Sequence, residues 1–143
     1  MITNEIIKIA SNTSNVGLTN RYTFRSTKKN SICGDLIKIE LISKKSKIYS
    51  MKYETESCVY CEASASLLSK IIKNMHIGIL KKELNNLKNI SKSDVDYIFT
   101  KNFIEFKFLI NKNNINRFNC IFLPIDAVLK ALKLWKKYLS SPL

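Results

Sequence analysis

Apolar positions near the start of the chain recur at helical spacing: Ile6, Ile7, Ile9 and Ala10 predict a short helix over residues 4–10. The turn formers in Asn12-Thr13-Ser14-Asn15-Val16-Gly17 end it. The period then drops to two, predicting strands over residues 21–26, 36–42 and 47–53. In the second of these, Ile37, Ile39 and Leu41 alternate with Lys38 and Glu40, so one face belongs to a core and the other to water. Ser43-Lys44-Lys45-Ser46 joins the second strand to the third, which makes an antiparallel meander.

From Cys61 onward the period is helical. Ala63, Leu67, Leu68, Ile71 and Ile72 form a broad stripe, with Lys70 and Lys73 near the C-terminal end, where cations suit the helix dipole. A further helix is expected over residues 79–88, marked by Gly78 at its start and by Leu80, Leu84 and Leu87 on one face. Ser91 and Asp94 make a loose capping box for another segment, and residues 103–110 fit either helix or strand. Residues 111–116 read as a loop by composition. The last helix is expected to carry Pro124 near its first turn and to bury Val128, Leu129, Ala131, Leu132 and Trp135. Strands grouped early and helices grouped late predict an α+β fold, and 143 residues without repeat or linker predict a single domain over residues 1–143.

Composition adds exclusions. Apolar residues at 45% and charged residues at 24% rule out disordered, collagen-like and coiled-coil chains. The longest apolar runs, such as residues 108–110 and 121–123, fall far short of the roughly 20 residues that span a bilayer, so no membrane role is expected. Met1-Ile2-Thr3-Asn4-Glu5 has no basic leader, and the expected compartment is the cytoplasm. The net charge of +13 attracts anionic partners in general. Its carriers are nearly all scattered lysines, with only Arg21, Arg25 and Arg117 able to offer a planar fork, so a basic nucleic-acid-binding module is the least favoured function.

Candidate chemistry lies with the cysteines. A cytoplasmic chain uses four cysteines as thiols or metal ligands rather than as a disulfide framework. Cys33 and Asp35, two apart at the entry to the second strand, face one side and can reach a common ion, while Gly34 permits close backbone approach. Cys58 and Cys61 flank the start of the first long helix, where a helix N-terminus favours thiolates. Cys120 lies just ahead of the last helix. Taken singly, each reads first as a small core residue; taken together, at their wide spacing, ligand and core roles both stay open. His76 is the single histidine and is expected to cap a helix end or meet solvent; Asp94 and Asp96 read as helix-start residues. The Lys81-Lys82 and Lys136-Lys137 pairs read as solvated faces, and no P-loop, GxGxxG or GxSxG motif occurs.

Four stretches in order resemble the NifU N-terminal, IscU and SufU family of iron-sulfur cluster assembly proteins. Asn12-Thr13-Ser14-Asn15-Val16-Gly17 resembles N-P-R-N-x-G; Cys33-Gly34-Asp35 matches C-G-D. Cys58 followed by Ala63-Ser64-Ala65-Ser66 resembles the second cysteine and its A-S-A-S helix, and Arg117-Phe118-Asn119-Cys120 resembles the basic stretch ending in the third cysteine. The resemblance implies a SufE/NifU-like fold, a three-stranded antiparallel sheet packed by helices. It implies Cys33, Asp35, Cys58 and Cys120 as ligands of a zinc ion or of a cluster, a 2Fe–2S cluster in the first instance. Cys61 stands where relatives often have Ser and is an extra thiol.

The implied function is a scaffold that accepts sulfur from a cysteine desulfurase, at Cys120, holds a cluster and passes it to a downstream carrier or recipient protein. Three thiolates and one harder carboxylate release such cargo more readily than four thiolates. The runner-up is a SufU-type zinc-dependent sulfurtransferase, in which the same four residues bind zinc; the long interval from Cys58 to Cys120 resembles that branch. Asn119 replaces the His of IscU-type members, no L-P-P-V-K stretch is present, and Ser57 stands where relatives commonly have Gly.

Overall fold

The computed structural model describes residues 2–90 and 97–139, excepting the side chains of residues 134 and 136–139. The expected capping box of Ser91 and Asp94, the helix-start role of Asp94 and Asp96, and the Lys136-Lys137 face lie outside the described residues. Helix α1 (Asn4–Ala10) is capped by Thr3, whose hydroxyl accepts from the Ile6 N–H. Strands β1 (Phe24–Lys29), β2 (Leu36–Lys44) and β3 (Lys47–Glu56) form an antiparallel sheet in sequence order. Helices α2 (Val59–Ile71) and α3 (Ile77–Lys88) follow, then 3₁₀ segments Lys101–Phe108 and Lys112–Arg117, then α4 (Phe118–Leu139).

Sheet pairing follows the apolar alternation. Ile39 pairs with Tyr53 and Leu41 with Met51; with Ile37 and Ile48 they are buried, and α2 and α4 close that face. β1 is displaced from residues 21–26 to Phe24–Lys29. Its inward positions carry Phe24 and then Ser26, whose hydroxyl donates to the Ala127 carbonyl of α4, so the apolar pattern is too thin to mark the register. The outer edge of β3 is covered at one end by the Asn74–His76 turn, with Ile48 N–H on the Met75 carbonyl at 2.9 Å. At the other end Gly17 N–H reaches the Tyr53 carbonyl at 2.8 Å, and covered edges resist strand addition.

The outward Glu40 is nonetheless buried, because the preceding loop folds over it: its carboxylate accepts from Thr19 N–H at 2.7 Å and Asn20 N–H at 2.9 Å. The β2–β3 connection is a two-residue turn with Lys45 at φ 53° and Ser46 at φ 64°. Both angles are left-handed, a conformation that glycine adopts without steric cost. Ser46→Gly is therefore expected to raise stability by about 1 kcal/mol, read as a higher urea midpoint.

Helix α2 is the central element, with Tyr60 through Ser69 buried except Glu62. Its alternating Ala63, Ser64, Ala65 and Ser66 keep the surface small enough for close approach, and each buried hydroxyl finds an acceptor. Ser64 donates to the Ile121 carbonyl at 2.6 Å and Ser66 to the Asn12 carbonyl at 2.8 Å. Those bonds tie α2 to the first turn of α4 and to the loop after α1.

Several expected boundaries move. Helix α3 begins at Ile77, with Gly78 inside it, and His76 caps this following helix rather than the preceding one: its Nδ1 accepts from Gly78 N–H at 3.0 Å. Of residues 103–110, all but the last two lie in the 3₁₀ segment Lys101–Phe108, with Phe103 and Phe106 inward one three-residue turn apart. The expected loop at residues 111–116 is mostly a second 3₁₀ segment, because Asn111 caps it and the buried Asn114 donates to the Leu109 carbonyl at 2.9 Å.

Candidate metal centre

The site lies where the β1–β2 connection, the start of α2 and the start of α4 meet. Asn30 builds the first wall. Its N–H donates to the Asp35 carbonyl, its carbonyl accepts from Gly34 N–H, both at 2.8 Å, and its side chain accepts from Ile32 N–H at 2.9 Å. Gly34 at φ 79° makes this tight loop possible. Cys33 and Asp35 thus converge through a turn, not along an extended strand as their spacing suggests. The turn leaves Cys33 exposed and buries Asp35.

Cys58 is the N-cap of α2, and its N–H donates to Asp35 Oδ1 at 3.3 Å while its Sγ donates to Oδ2 at 3.5 Å. Cys120 lies within the first turn of α4, not ahead of the helix. The helix starts at Phe118 and accommodates Pro124 as its seventh residue, where the imino nitrogen has no hydrogen to give the Cys120 carbonyl. The Ser64 bond to Ile121 holds this turn against α2.

Among the described residues, the ligand atoms of Cys33, Asp35 and Cys120 all lie within 4.8 Å of one another. The Cys33 and Cys120 sulfurs are 3.8 Å apart. Cys58 joins through its contacts with the Asp35 carboxylate. All four residues singled out by resemblance therefore gather at one end of the fold. Two thiolates at about 2.3 Å from a tetrahedral ion sit about 3.8 Å apart, and a thiolate and a carboxylate oxygen about 3.5 Å apart. The observed Cys33–Cys120 and Cys58–Asp35 separations match those two edges, and Cys33, Asp35 and Cys120 are close enough to share one ion, with Cys58 beside them through Asp35.

Electrostatics favours the protonated, metal-free thiol until a cation arrives. Burial, then a hydrogen bond with Cys58 and the Cys58 charge, and then bonds with Cys33 and Asp35 hold the Cys120 thiol far above the ordinary range. A metal ion must displace that proton, so uptake releases protons and tightens as pH rises.

Cys61 is buried behind the site. Burial pushes its thiol up to about 12 from 9.0; a hydrogen bond with Ser57 acts the other way, and Asp35, Cys58 and Cys33 add to the rise through their charge. A folded value above the unfolded one stabilises the fold below about pH 9, and that contribution is lost as pH climbs toward 12. The urea midpoint is expected to fall above about pH 9, and Cys61→Ser to make that fall shallower.

Asn30 supports the site without a place among the expected site residues, and Ser64, quoted above within Ala63-Ser64-Ala65-Ser66, supports it through its bond to α4. Asn30 carried a signal in retrospect, as an Asn opening a turn before Cys33-Gly34-Asp35. Ser64 carried the A-S-A-S resemblance, but nothing in the sequence marked its bond to the Ile121 carbonyl. The Arg117 guanidinium lies 5.5 Å from the Tyr60 ring centroid, within reach of a cation–π contact.

A three-stranded antiparallel sheet backed by helices, with cysteines and an aspartate collected at one end, defines a NifU-like fold. The NifU-like N terminal domain family matches residues 1–97, more than half of the chain, and this protein belongs to that family. An uncharacterized protein of Borreliella burgdorferi is 26% identical over 140 residues, covering 94% of this chain and 84% of the relative. Two solved structures share the fold. A nitrogen-fixing NifU-like protein (N-terminal) from Brucella abortus superposes with a TM-score of 0.78 at 16% identity, covering 94% of each chain. An iron-sulfur cluster assembly scaffold protein described for the SUF system of Fervidobacterium islandicum gives 0.74 at 23% identity, covering 92% of this chain and 96% of that one. Among the described residues, no helix is long and apolar enough to cross a membrane.

Proposed function

We propose that this protein is an iron-sulfur cluster assembly scaffold, folded as one domain over residues 1–143, that takes sulfur from a cysteine desulfurase and hands a cluster to a recipient protein. The observation that carries this reading is the convergence of the Cys33, Asp35 and Cys120 ligand atoms within 4.8 Å, with Cys58 in contact. Thiolates hold iron and sulfide, and the carboxylate supplies the weaker bond that lets the cargo leave.

Cys120 is the proposed sulfur acceptor. Its sulfur attacks the sulfane sulfur of a donor persulfide, the S–S bond of the donor breaks, and the donor thiolate departs. The Cys33 and Cys58 thiols beside it are placed to retain the bound sulfur and iron. Family membership over residues 1–97 supports the scaffold reading as a whole.

A second reading has its own observation. Donor atoms this close match a single ion, which supports a zinc-dependent sulfurtransferase using the same four residues. Anaerobic incubation with ferrous iron and sulfide separates the two. The scaffold reading expects a visible-absorbing cluster in the wild type and in Cys61→Ser, and none in the Ser variants of Cys33, Cys58 and Cys120. Zinc that stays bound and excludes iron and sulfide supports the sulfurtransferase. Salt-dependent binding to random duplex DNA, unchanged by Cys120→Ser, would instead favour a nucleic-acid-binding module.

A further inference from the structure

The proposed metal centre uses Cys58 and leaves Cys61 without a role. The two stand at the N-cap and the third helical position of α2. In a capping box the side chain at each of those positions reaches the backbone N–H of the other, so the two residues are neighbours across the first turn. Cys58 makes no capping bond of its own. The Cys58 sulfur faces the Asp35 carboxylate at 3.5 Å. Cys58 is half-buried and Cys61 fully buried. An accessible thiol in front of a sheltered one, at a helix N-terminus, is the order of a redox-active C-x-x-C pair.

We propose that Cys58 and Cys61 form a redox-active dithiol whose closure to a disulfide takes Cys58 out of the metal centre and releases its cargo. The release half rests on the site reading above; the disulfide does not. With hydrogen peroxide as oxidant, the Cys58 sulfur attacks one peroxide oxygen, the O–O bond breaks, and a water leaves, giving a sulfenic acid. The Cys61 sulfur then attacks the Cys58 sulfur, the S–S bond forms, the S–O bond breaks, and a second water carries off the remaining proton. Two thiols lose two electrons and peroxide gains two. A dithiol reductant reverses the step by thiol–disulfide exchange.

Trypsin places both cysteines in one peptide, residues 53–70, between Lys52 and Lys70. Metal-free protein treated with one equivalent of peroxide, alkylated and digested is expected to yield this peptide unalkylated and lighter by two hydrogens. A peptide that keeps both thiols free overturns the proposal, including the case in which Cys33 and Cys120, 3.8 Å apart, cross-link instead.

Zinc-loaded protein then tests release, with a chromogenic chelator as readout. Peroxide is expected to free zinc from the wild type at least about tenfold faster than from Cys61→Ser and Cys61→Ala, each checked for wild-type far-UV circular dichroism. Equal rates in all three overturn the coupling. A wild type that takes up no zinc overturns the site reading and the release half with it, while the peptide result still decides the disulfide.

Discussion

Cys120→Ser is expected to weaken metal binding by at least about 100-fold, since partners that only support a ligand already account for 10–100-fold losses. Cys120 sits in the first turn of α4, its sulfur 3.8 Å from that of Cys33 and within 4.8 Å of an Asp35 carboxylate oxygen. Serine keeps the size and removes the soft thiolate. The fold should survive, because the turn is held by Ser64 on the Ile121 carbonyl rather than by the sulfur. Competition against a chelator of known affinity measures the loss, with Cys33→Ser and Cys58→Ser expected to behave alike and Cys61→Ser to bind as the wild type does under reducing conditions. Wild-type affinity in the Cys120 variant would remove it from the ligand set.

Phe106→Ala should lower stability by about 3–5 kcal/mol, a large share of the roughly 5–15 kcal/mol that holds a domain together. Phe106 is fully buried in the first 3₁₀ segment, which packs on α2, and it belongs to the same apolar cluster as Ile39 of β2 and Leu68 of α2. The residue lies beyond the 1–97 span that the family match covers. If the chain is one cooperative domain, its loss must weaken the sheet as well. Urea unfolding followed by far-UV circular dichroism and by fluorescence of Trp135, the single tryptophan, is expected to give coincident transitions, both shifted in the variant. Separate transitions, with only one displaced, would divide the chain into two units.

Legibility in the sequence tracked how much of an element's position depends on its own apolar residues. β2 is readable because Ile37, Ile39 and Leu41 must all face the core, and a one-residue slip would expose them. α3 is readable from Leu80, Leu84 and Leu87, all buried. β1 is misplaced by three residues because its inward Ser26 is held by a hydrogen bond to another element. The 3₁₀ segments escape helical periodicity since their turn is three residues, and asparagines at 111 and 114 build structure through amide bonds that composition reads as loop.

The site divides the same way. Its residues are identifiable by type and order, but their meeting depends on a turn at Asn30–Asp35 and on a helix that begins six residues before Pro124. Proline near a helix start is a good signal for position only to within a turn or two. Cys33 as an exposed loop thiol, rather than a strand residue, follows from the positive φ of Gly34. Such a dihedral is permitted by glycine but not demanded by it.

The most direct measurement is X-ray absorption at the metal edge of freshly purified, metal-loaded protein. A zinc form is predicted to show three sulfurs at about 2.3 Å and one oxygen at about 2.0–2.2 Å, falling to two sulfurs in Cys33→Ser. A wild-type shell dominated by nitrogen and oxygen, or unchanged by that substitution, would contradict the meeting of Cys33, Asp35, Cys58 and Cys120 at one centre.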